Sequence, residues 1–471
     1  MVKILISKFS YRTSTIDAEC RCEGGFFYDI STLRARRAAR DMDPATRRME
    51  ANSCQRFGSM ALGLAFTCAT IENAAQVKCW GLNEYGVLGP AVPLGQNTLD
   101  INIASLPVLD LGTNVVVEEL STGQGAKHAC ARLSTGQVKC WGRNSYGNLG
   151  QGDTVHRGSL PSQMGDNLLP VNLGTNRIAL QIASGENYNC ALLDNLKVKC
   201  WGRNAKGQLG IGSTVDKGDQ PGEMGDNLPY VSLPGPVTGV RAGYQHTAVR
   251  LENGQLCLWG LGNYAQEGGP FPDQTQGYRT TPLCLPQYGY IAMDFAVTRD
   301  HTCAILSTTA SNPSSRLHCW GGAGLNQWGF GGYILLAQTG TGWNWNSNPE
   351  IGMTDKLALG QWSTCRMNSL MDSLLCTGAS VSGQHGNSTL QDPMELGSGS
   401  FVKDVACGQF HCCGRLDKQQ LKCWGNNAEG QLGFRTAKAS IGTVASDMGE
   451  NLPVVKFNDC DSLKCGANSV W

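Results

Sequence analysis

Six pairs of cysteines recur along the chain at separations of ten to sixteen residues: Cys68/Cys79, Cys130/Cys140, Cys190/Cys200, Cys303/Cys319, Cys365/Cys376 and Cys413/Cys423. Cysteines at this spacing do one of two things: they close disulfides, or they pack as buried thiols in the core of a reduced β protein. Where ten residues separate them, symmetric folding about a central turn sets the two Cβ atoms opposite one another on the same face. Directly opposed strand residues lie about 4.5–5.5 Å apart at Cα, inside the disulfide window. Each bridge would close a loop of roughly 11 residues, which on a chain-entropy reckoning contributes about 2.7 kcal/mol. Both partners come and go together, which favours bridges: where Ala248 replaces the first cysteine, Cys257 is displaced by one position and the pair is lost. Disulfides imply an oxidising compartment, extracellular or lumenal; thiols throughout would place the protein in the cytoplasm or nucleus. No secretory signal precedes the pairs, because Met1–Ile6 is short and Lys8 and Arg12 follow it. An incomplete N-terminus would reconcile the two observations.

Other reactive side chains carry weaker signals. In isolation, Cys407-x-x-x-His411-Cys412-Cys413 has the makings of a zinc site. But His411 falls in a recurring column with His128, His246 and His301, where Tyr188 and Phe66 substitute, and phenylalanine cannot ligate a metal. The column therefore reads as packing or hydrogen bonding, and no metal or cofactor is expected. Met164-Gly165-Asp166-Asn167-Leu168 returns at Met224–Leu228 and, with Glu450, at Met448–Leu452. One acidic residue per loop suits a turn or surface cap better than calcium, which needs several oxygens. Trp328, Phe330, Tyr333, Trp343 and Trp345 form an aromatic, Gly/Asn-rich stretch that offers a contact face for a protein or a glycan. Asn387-Ser388-Thr389 is a glycosylation sequon. The serine-hydrolase elbow, the phosphate-cradling loop, the dinucleotide fingerprint and the HExxH helix have no counterpart, so the chain is not expected to be an enzyme.

The elements that position these residues come from a repeat. Val138–Gly150 (VKCWGRNSYGNLG) returns as Val77–Gly89, Val198–Gly210 and Leu421–Gly433, with weaker copies at Trp259, Trp320 and Thr377. With Trp80, Trp141, Trp201, Trp259, Trp320, Thr377 and Trp424 as anchors, the intervals are 61, 60, 58, 61, 57 and 47 residues. A steady period of this size marks a solenoid or a propeller. Glycine follows every anchor, and another recurs nine residues after it, as suits positive φ or close approach of a neighbouring backbone. The tryptophan brings a large apolar body and one N–H that needs a partner, which suits a wedge between adjacent sheets. Upstream, His128–Leu133, a turn at Ser134-Thr135-Gly136 and Val138–Cys140 spell a hairpin. Helical periodicity is absent. The expected architecture is all-β, a seven-bladed β-propeller over residues 51–471.

The chain has 471 residues, of which 60 are glycine and 16% are charged, as fits turn-dense β structure. Thirty-eight basic residues balance 38 acidic ones, so net charge gives no drive toward nucleic acid or an anionic membrane. No apolar run is long enough to span a bilayer. Residues 1–50 lie outside the repeat and read as a flexible leader or a misjudged start, with an arginine-rich segment from Ser31 to Glu50. Asp461–Trp471 resembles another opening strand; it would either complete the first blade, with Cys460 or Cys465 bound to Cys54, or begin a truncated eighth repeat.

The phrase Cys190–Gly210 (CALLDNLKVKCWGRNAKGQLG), with its His-x-Cys opening strand in other copies, resembles the repeat of the regulator of chromosome condensation family, the superfamily of β-lactamase inhibitor protein II. The resemblance covers about residues 51–471 and implies a seven-bladed propeller. In that family the best-known member exchanges nucleotide on the small GTPase Ran, and another branch docks β-lactamases on one propeller face. The paired cysteines and the lack of a basic tail depart from the exchange factor. The expected function is thus a monomeric, non-catalytic scaffold that binds a protein or glycan; guanine-nucleotide exchange on a small GTPase is the alternative.

Overall fold

The computed structural model describes residues 58–71, 76–263, 277–287, 289–308, 316–321, 356–361, 363–368, 373–378, 382–384, 393–417 and 420–457. The leader 1–50, the aromatic stretch from Trp328 to Trp345, Asn387, Cys54, Cys460 and Cys465 lie outside them. The described strands form seven antiparallel sheets, each built from one repeat. In chain order the innermost strands are β1 (Met60–Leu62), β4 (Val117–Ser121), β7 (Ala179–Ser184), β10 (Val237–Ala242), β14 (Ile291–Val297), β17 (Lys356–Leu359) and β20 (Val402–Cys407). Each packs beside the next, and β20 packs beside β1, so the row closes into a ring. The fold is an all-β propeller.

Sequence dictates the hairpin at the heart of each sheet. In His128–Leu133 every residue is buried, because neighbouring sheets cover both faces of this middle strand. Gly136, at φ +80, reverses the chain, and His128↔Gly142 through Arg132↔Val138 then pair in register. That register places Cys130 opposite Cys140, and the same pairing sets Cys68 against Cys79, Cys190 against Cys200, Cys303 against Cys319, Cys365 against Cys376 and Cys413 against Cys423. The sulfurs of all six pairs are within bonding distance. Two further bridges have no precedent in the hairpin pattern. Cys257, which the repeat alignment leaves unpaired, bonds Cys284 on a fourth strand, β13 (Tyr278–Cys284), 27 residues away. Cys407 bonds Cys412 across the first and second strands of the seventh sheet.

An innermost strand presents an unpaired edge to its neighbour, and bulges resolve the problem. The register slips between Val117 and Glu119, between Ala179 and Gln181, and between Ala292 and Asp294. The residue after each slip turns a side-chain oxygen toward a backbone N–H of the next sheet: Glu119 accepts from Ile182 at 3.1 Å, Gln181 from Val240 at 3.0 Å and Asp294 from Leu357 at 3.0 Å.

The anchor tryptophans join the sheets. Trp141 Nε1 donates to the carbonyl of Val87 (2.8 Å), Trp201 to Asn148 (3.1 Å), Trp259 to Gln208 (2.8 Å) and Trp424 to Gln384 (2.9 Å). Every acceptor lies seven residues after the preceding anchor. Trp80 donates to Gln431 at 3.0 Å, so the first sheet is bound to the last by the same bond. The two glycines of the motif serve this contact. The one after the anchor sits at φ +100 to +118 in most repeats, and a Cβ there would strike the carbonyl that precedes the middle strand, 2.6 Å away for Gly142. The one nine residues on clears space for the next tryptophan: a Cβ on Gly210 would stand 2.6 Å from Trp259 Nε1. Between them, Asn144 Oδ1 accepts from Leu149 N at 2.8 Å and shapes the loop, as Asn83, Asn204 and Asn427 do in theirs. Replacing Trp141 by Phe keeps the wedge but orphans a buried carbonyl, at a cost of about 1–3 kcal/mol. Alanine removes the wedge as well, at about 3–5 kcal/mol. Urea denaturation should rank wild type above W141F above W141A.

Candidate functional site

Antiparallel strands bring two sets of loops to one end of each sheet: those joining first to middle strands, and those after each anchor. Around the axis the first set is tied edge to edge. Leu64 N donates to Ala126 O, Glu186 N to Tyr244 O, Tyr244 N to Thr298 O, Gln361 N to Gln409 O and Gln409 N to Gly63 O. The second repeat's loop, Thr122–Lys127, is longer than its counterparts and reaches across the ring. Gln124 Nε2 donates to Leu359 O at 2.5 Å, and its Oε1 accepts from Arg299 N at 3.2 Å.

Outside this plug runs a belt of basic and aromatic side chains, all half-buried. Lys127 Nζ and Arg143 Cζ lie 5.7 and 5.5 Å from the ring centre of Tyr85. Arg143 and Arg203 lie 5.8 and 4.8 Å from that of Tyr146, Lys206 stands 5.5 Å from Tyr278, and Arg299 stands 4.9 Å from Tyr244. Lys127 pairs with Glu84 (2.7 Å), Arg203 approaches Glu186 (3.9 Å) and Arg299 approaches Asp300 (3.7 Å). Arg143 donates to Ser145 Oγ but has no carboxylate partner among the described residues. Burial raises Asp300 above the usual carboxylate range against the pull of Arg299. Burial, helped by Glu186, also raises the Tyr244 phenol. Tyr85 itself holds φ +67, a conformation that an aromatic residue adopts only when its surroundings impose it. No sequence signal marks this belt: Tyr85, Tyr146 and Lys206 occupy one variable motif position, and only the ring brings them together.

The opposite end is structural. Asp166 Oδ1 and Oδ2 accept from the N–H and hydroxyl of Thr113 (2.9 and 2.7 Å), and Asp226 does the same for Thr175. Glu450 accepts from Ser398 N at 2.6 Å and from its hydroxyl. The recurring acidic loops therefore cap Leu-Gly-Thr or Leu-Gly-Ser turns of the preceding segment. Lys139 and Lys199 pass beneath and donate to the carbonyls of Gly165 and Gly225.

The histidine column is a relay between sheets. His128 Nε2 meets Asn189 Oδ1 (3.1 Å), His246 meets Thr302 Oγ1 (3.0 Å), His301 meets Thr364 Oγ1 (3.3 Å) and His411 meets Thr67 Oγ1 (2.8 Å). Thr67 also donates to Gln431 O, so it accepts the Nε2 proton of a neutral His411. Tyr188 takes the same place with its hydroxyl 3.0 Å from Thr247 Oγ1, while Phe66 falls in sequence register with the apolar Ala129. His411 Nε2 is thereby engaged, and the three cysteines of this segment are committed to disulfides, Cys407 with Cys412 and Cys413 with Cys423. Burial pushes His128 down to about 4 and His246, His301 and His411 to about 3. Four buried, neutral imidazoles bonded within the wall are not placed to act as acids or bases.

Comparison with known proteins agrees with this geometry. The description "Regulator of chromosome condensation (RCC1) repeat" matches residues 121–148, 180–208 and 402–431, and under a second profile of the same description residues 135–192 and 198–250. The chain carries regulator of chromosome condensation (RCC1) repeats. This RCC1-repeat protein is 23% identical over 395 residues to the Ultraviolet-B receptor UVR8 of Arabidopsis thaliana, covering 83% of the chain and 70% of the receptor. It is 29% identical over 225 residues to the Probable E3 ubiquitin-protein ligase HERC4 of Homo sapiens, covering 46% of the chain but 19% of the ligase. The chain thus spans about a fifth of that relative. Among solved structures, Prp20p from Saccharomyces cerevisiae superposes with a TM-score of 0.57 at 16% identity, over 86% of this chain and 87% of that one.

The histidine relay makes the RCC1 ring acid-labile. Each imidazole is neutral when folded and titrates near 6.5 when unfolded, so the unfolded state gains protons first as pH falls. Stability is complete above about pH 6.5. It drops below that toward pH 3–4 by about 1.4 kcal/mol per pH unit for each histidine. The urea midpoint should therefore fall from pH 7.5 to pH 5, and less steeply in His246→Tyr, which copies Tyr188. A midpoint flat across that interval contradicts the relay.

Proposed function

We propose that this chain is a non-catalytic binding scaffold that docks an acidic protein partner on the Lys127–Tyr85–Arg143–Tyr146–Arg203 belt. The observation that carries the reading is the belt itself. Arginine and tyrosine are the residue types enriched at interface centres, and here they are already stacked, so little side-chain entropy remains to be lost on binding. Arg143 offers a guanidinium that no carboxylate among the described residues satisfies, which suits bidentate capture of a partner's Asp or Glu. A protein is favoured over a glycan because charge rather than flat apolar rings dominates this end. The bridged cysteines support an oxidising compartment, and the scaffold is taken to act as a monomer.

Relatives supply the partner class to test first. The Prp20p structure is described with its binding properties to Gsp1p and histones, so small GTPases belong in the panel. The double variant Arg143→Glu/Arg203→Glu should weaken partner capture at least tenfold, with salt mimicking the effect on wild type. Lys197→Glu, on a hairpin at the other end, should not. Equal capture by both variants removes the belt from the account, and stimulated nucleotide release from a GTPase would replace the scaffold reading with exchange.

A further inference from the structure

The boundary between the sixth and seventh sheets breaks the rule kept at most others. Ser363 stands in the histidine column, and its hydroxyl is buried without a hydrogen-bond partner. The position that holds Thr, Asn or Ala elsewhere is Cys412, committed to Cys407. In place of the polar relay, two disulfides meet: Cys407 Sγ lies 3.9 Å from Cys365 Sγ, and the sulfurs of Cys365, Cys407 and Cys412 all fall within 4.8 Å of one another. Cys365 belongs to β18 (Ser363–Asn368) of the sixth sheet and Cys407 to β20 of the seventh. Among the sixteen cysteines bridged in the described residues, only Cys284 and Cys407 are half-buried; the rest are buried. The Cys407–Cys412 bridge also closes the shortest loop, five residues in sequence, and so constrains the unfolded chain least.

We propose that Cys407 is a thiol–disulfide exchange site whose substrate is a small dithiol or a protein dithiol, and that its product is a covalent link between the sixth and seventh sheets. The dithiol attacks Cys407 Sγ and displaces the Cys412 thiolate. Its second thiol then closes to a cyclic disulfide and releases Cys407 as a thiolate. Cys407 attacks the neighbouring Cys365 Sγ, a Cys365–Cys407 bond forms, the Cys365–Cys376 bond breaks, and Cys376 leaves as a thiolate. Two electrons come from the dithiol, two cysteines (Cys376 and Cys412) end as thiols, and the number of protein disulfides falls by one. Contact between the two bridges in the folded ring means that the second exchange needs no unfolding.

The exchange rests on the bridged state argued above, and the test separates the two. In Cys412→Ser, Cys407 is left as a thiol and the second step needs no reductant. The folded full-length variant, acid-quenched to stop exchange, then unfolded and alkylated at low pH and mapped by mass spectrometry, should carry label at Cys376 and a Cys365–Cys407 cross-link. Label at Cys407 with Cys365–Cys376 intact overturns the exchange while leaving the bridged state standing. Label at every cysteine overturns the bridged state as well. Should the variant fail to fold, wild type treated with limiting dithiothreitol gives the same readout: Cys376 and Cys412 labelled together support the exchange, and Cys407 and Cys412 labelled together refute it. Cys407→Ser should abolish the cross-link in either arm.

Discussion

One backbone carbonyl, seven residues past five of the anchors among the described residues, holds neighbouring sheets together. It accepts the indole proton of the next tryptophan, and in several repeats a second bond from Thr67, Asn189 or Thr247 reaches the same oxygen. The contact is buried, so the bond is strong and its loss leaves a buried acceptor unmet. The repeat motif can be understood from this contact outward. One glycine lets the anchor's own strand turn away beside the preceding loop, the asparagine shapes the loop that presents the carbonyl, and the second glycine vacates the volume that the incoming indole fills.

Because the same interface recurs, each boundary shows a different solution to a single physical problem. Histidine meets threonine or asparagine; tyrosine meets threonine; phenylalanine answers alanine in the same register, where no polar group needs a partner. Serine and cysteine at the sixth boundary leave an orphaned hydroxyl and a pair of touching disulfides. Changes on one side are matched on the other, as expected where an unpaired polar atom costs more than an apolar pair of equal volume. The bulge residues extend the logic to the inner edge, where Glu119, Gln181 and Asp294 satisfy amides that a closed sheet would have paired.

What the sequence discloses follows from how local each feature is. Hairpin cysteines, turn glycines and anchor tryptophans repeat within ten or so residues, and their chemistry is plain from spacing. The propeller class follows from them. Cys284 escapes because its partner lies 27 residues away rather than across a tight hairpin, and Cys407 because its bridge joins the other side of the middle strand. Gln124 is an unremarked glutamine until the ring brings Leu359 and Arg299 to it. The arginine–tyrosine belt is invisible for the same reason: its members come from loops that vary from repeat to repeat, and closure alone makes them neighbours. The acidic loops lie between these cases, recognisable as caps, but with their Thr113, Thr175 and Ser398 partners hidden some fifty residues upstream.

Such a body suits a scaffold. Its buried polar groups are spent on holding sheets together, and variation is free in the loops at one end, where charge and aromatic rings face outward. The central claim is that the seventh sheet closes on the first through paired groups, and a double-mutant cycle on His411 and Thr67 addresses it. His411→Phe and Thr67→Ala together recreate the Phe66/Ala129 boundary. Each single variant should lose stability by about 1–3 kcal/mol, and the double variant should recover at least about 1 kcal/mol of the summed loss. Strictly additive losses would mean that the two sheets do not meet there, and the closed ring would have to be abandoned.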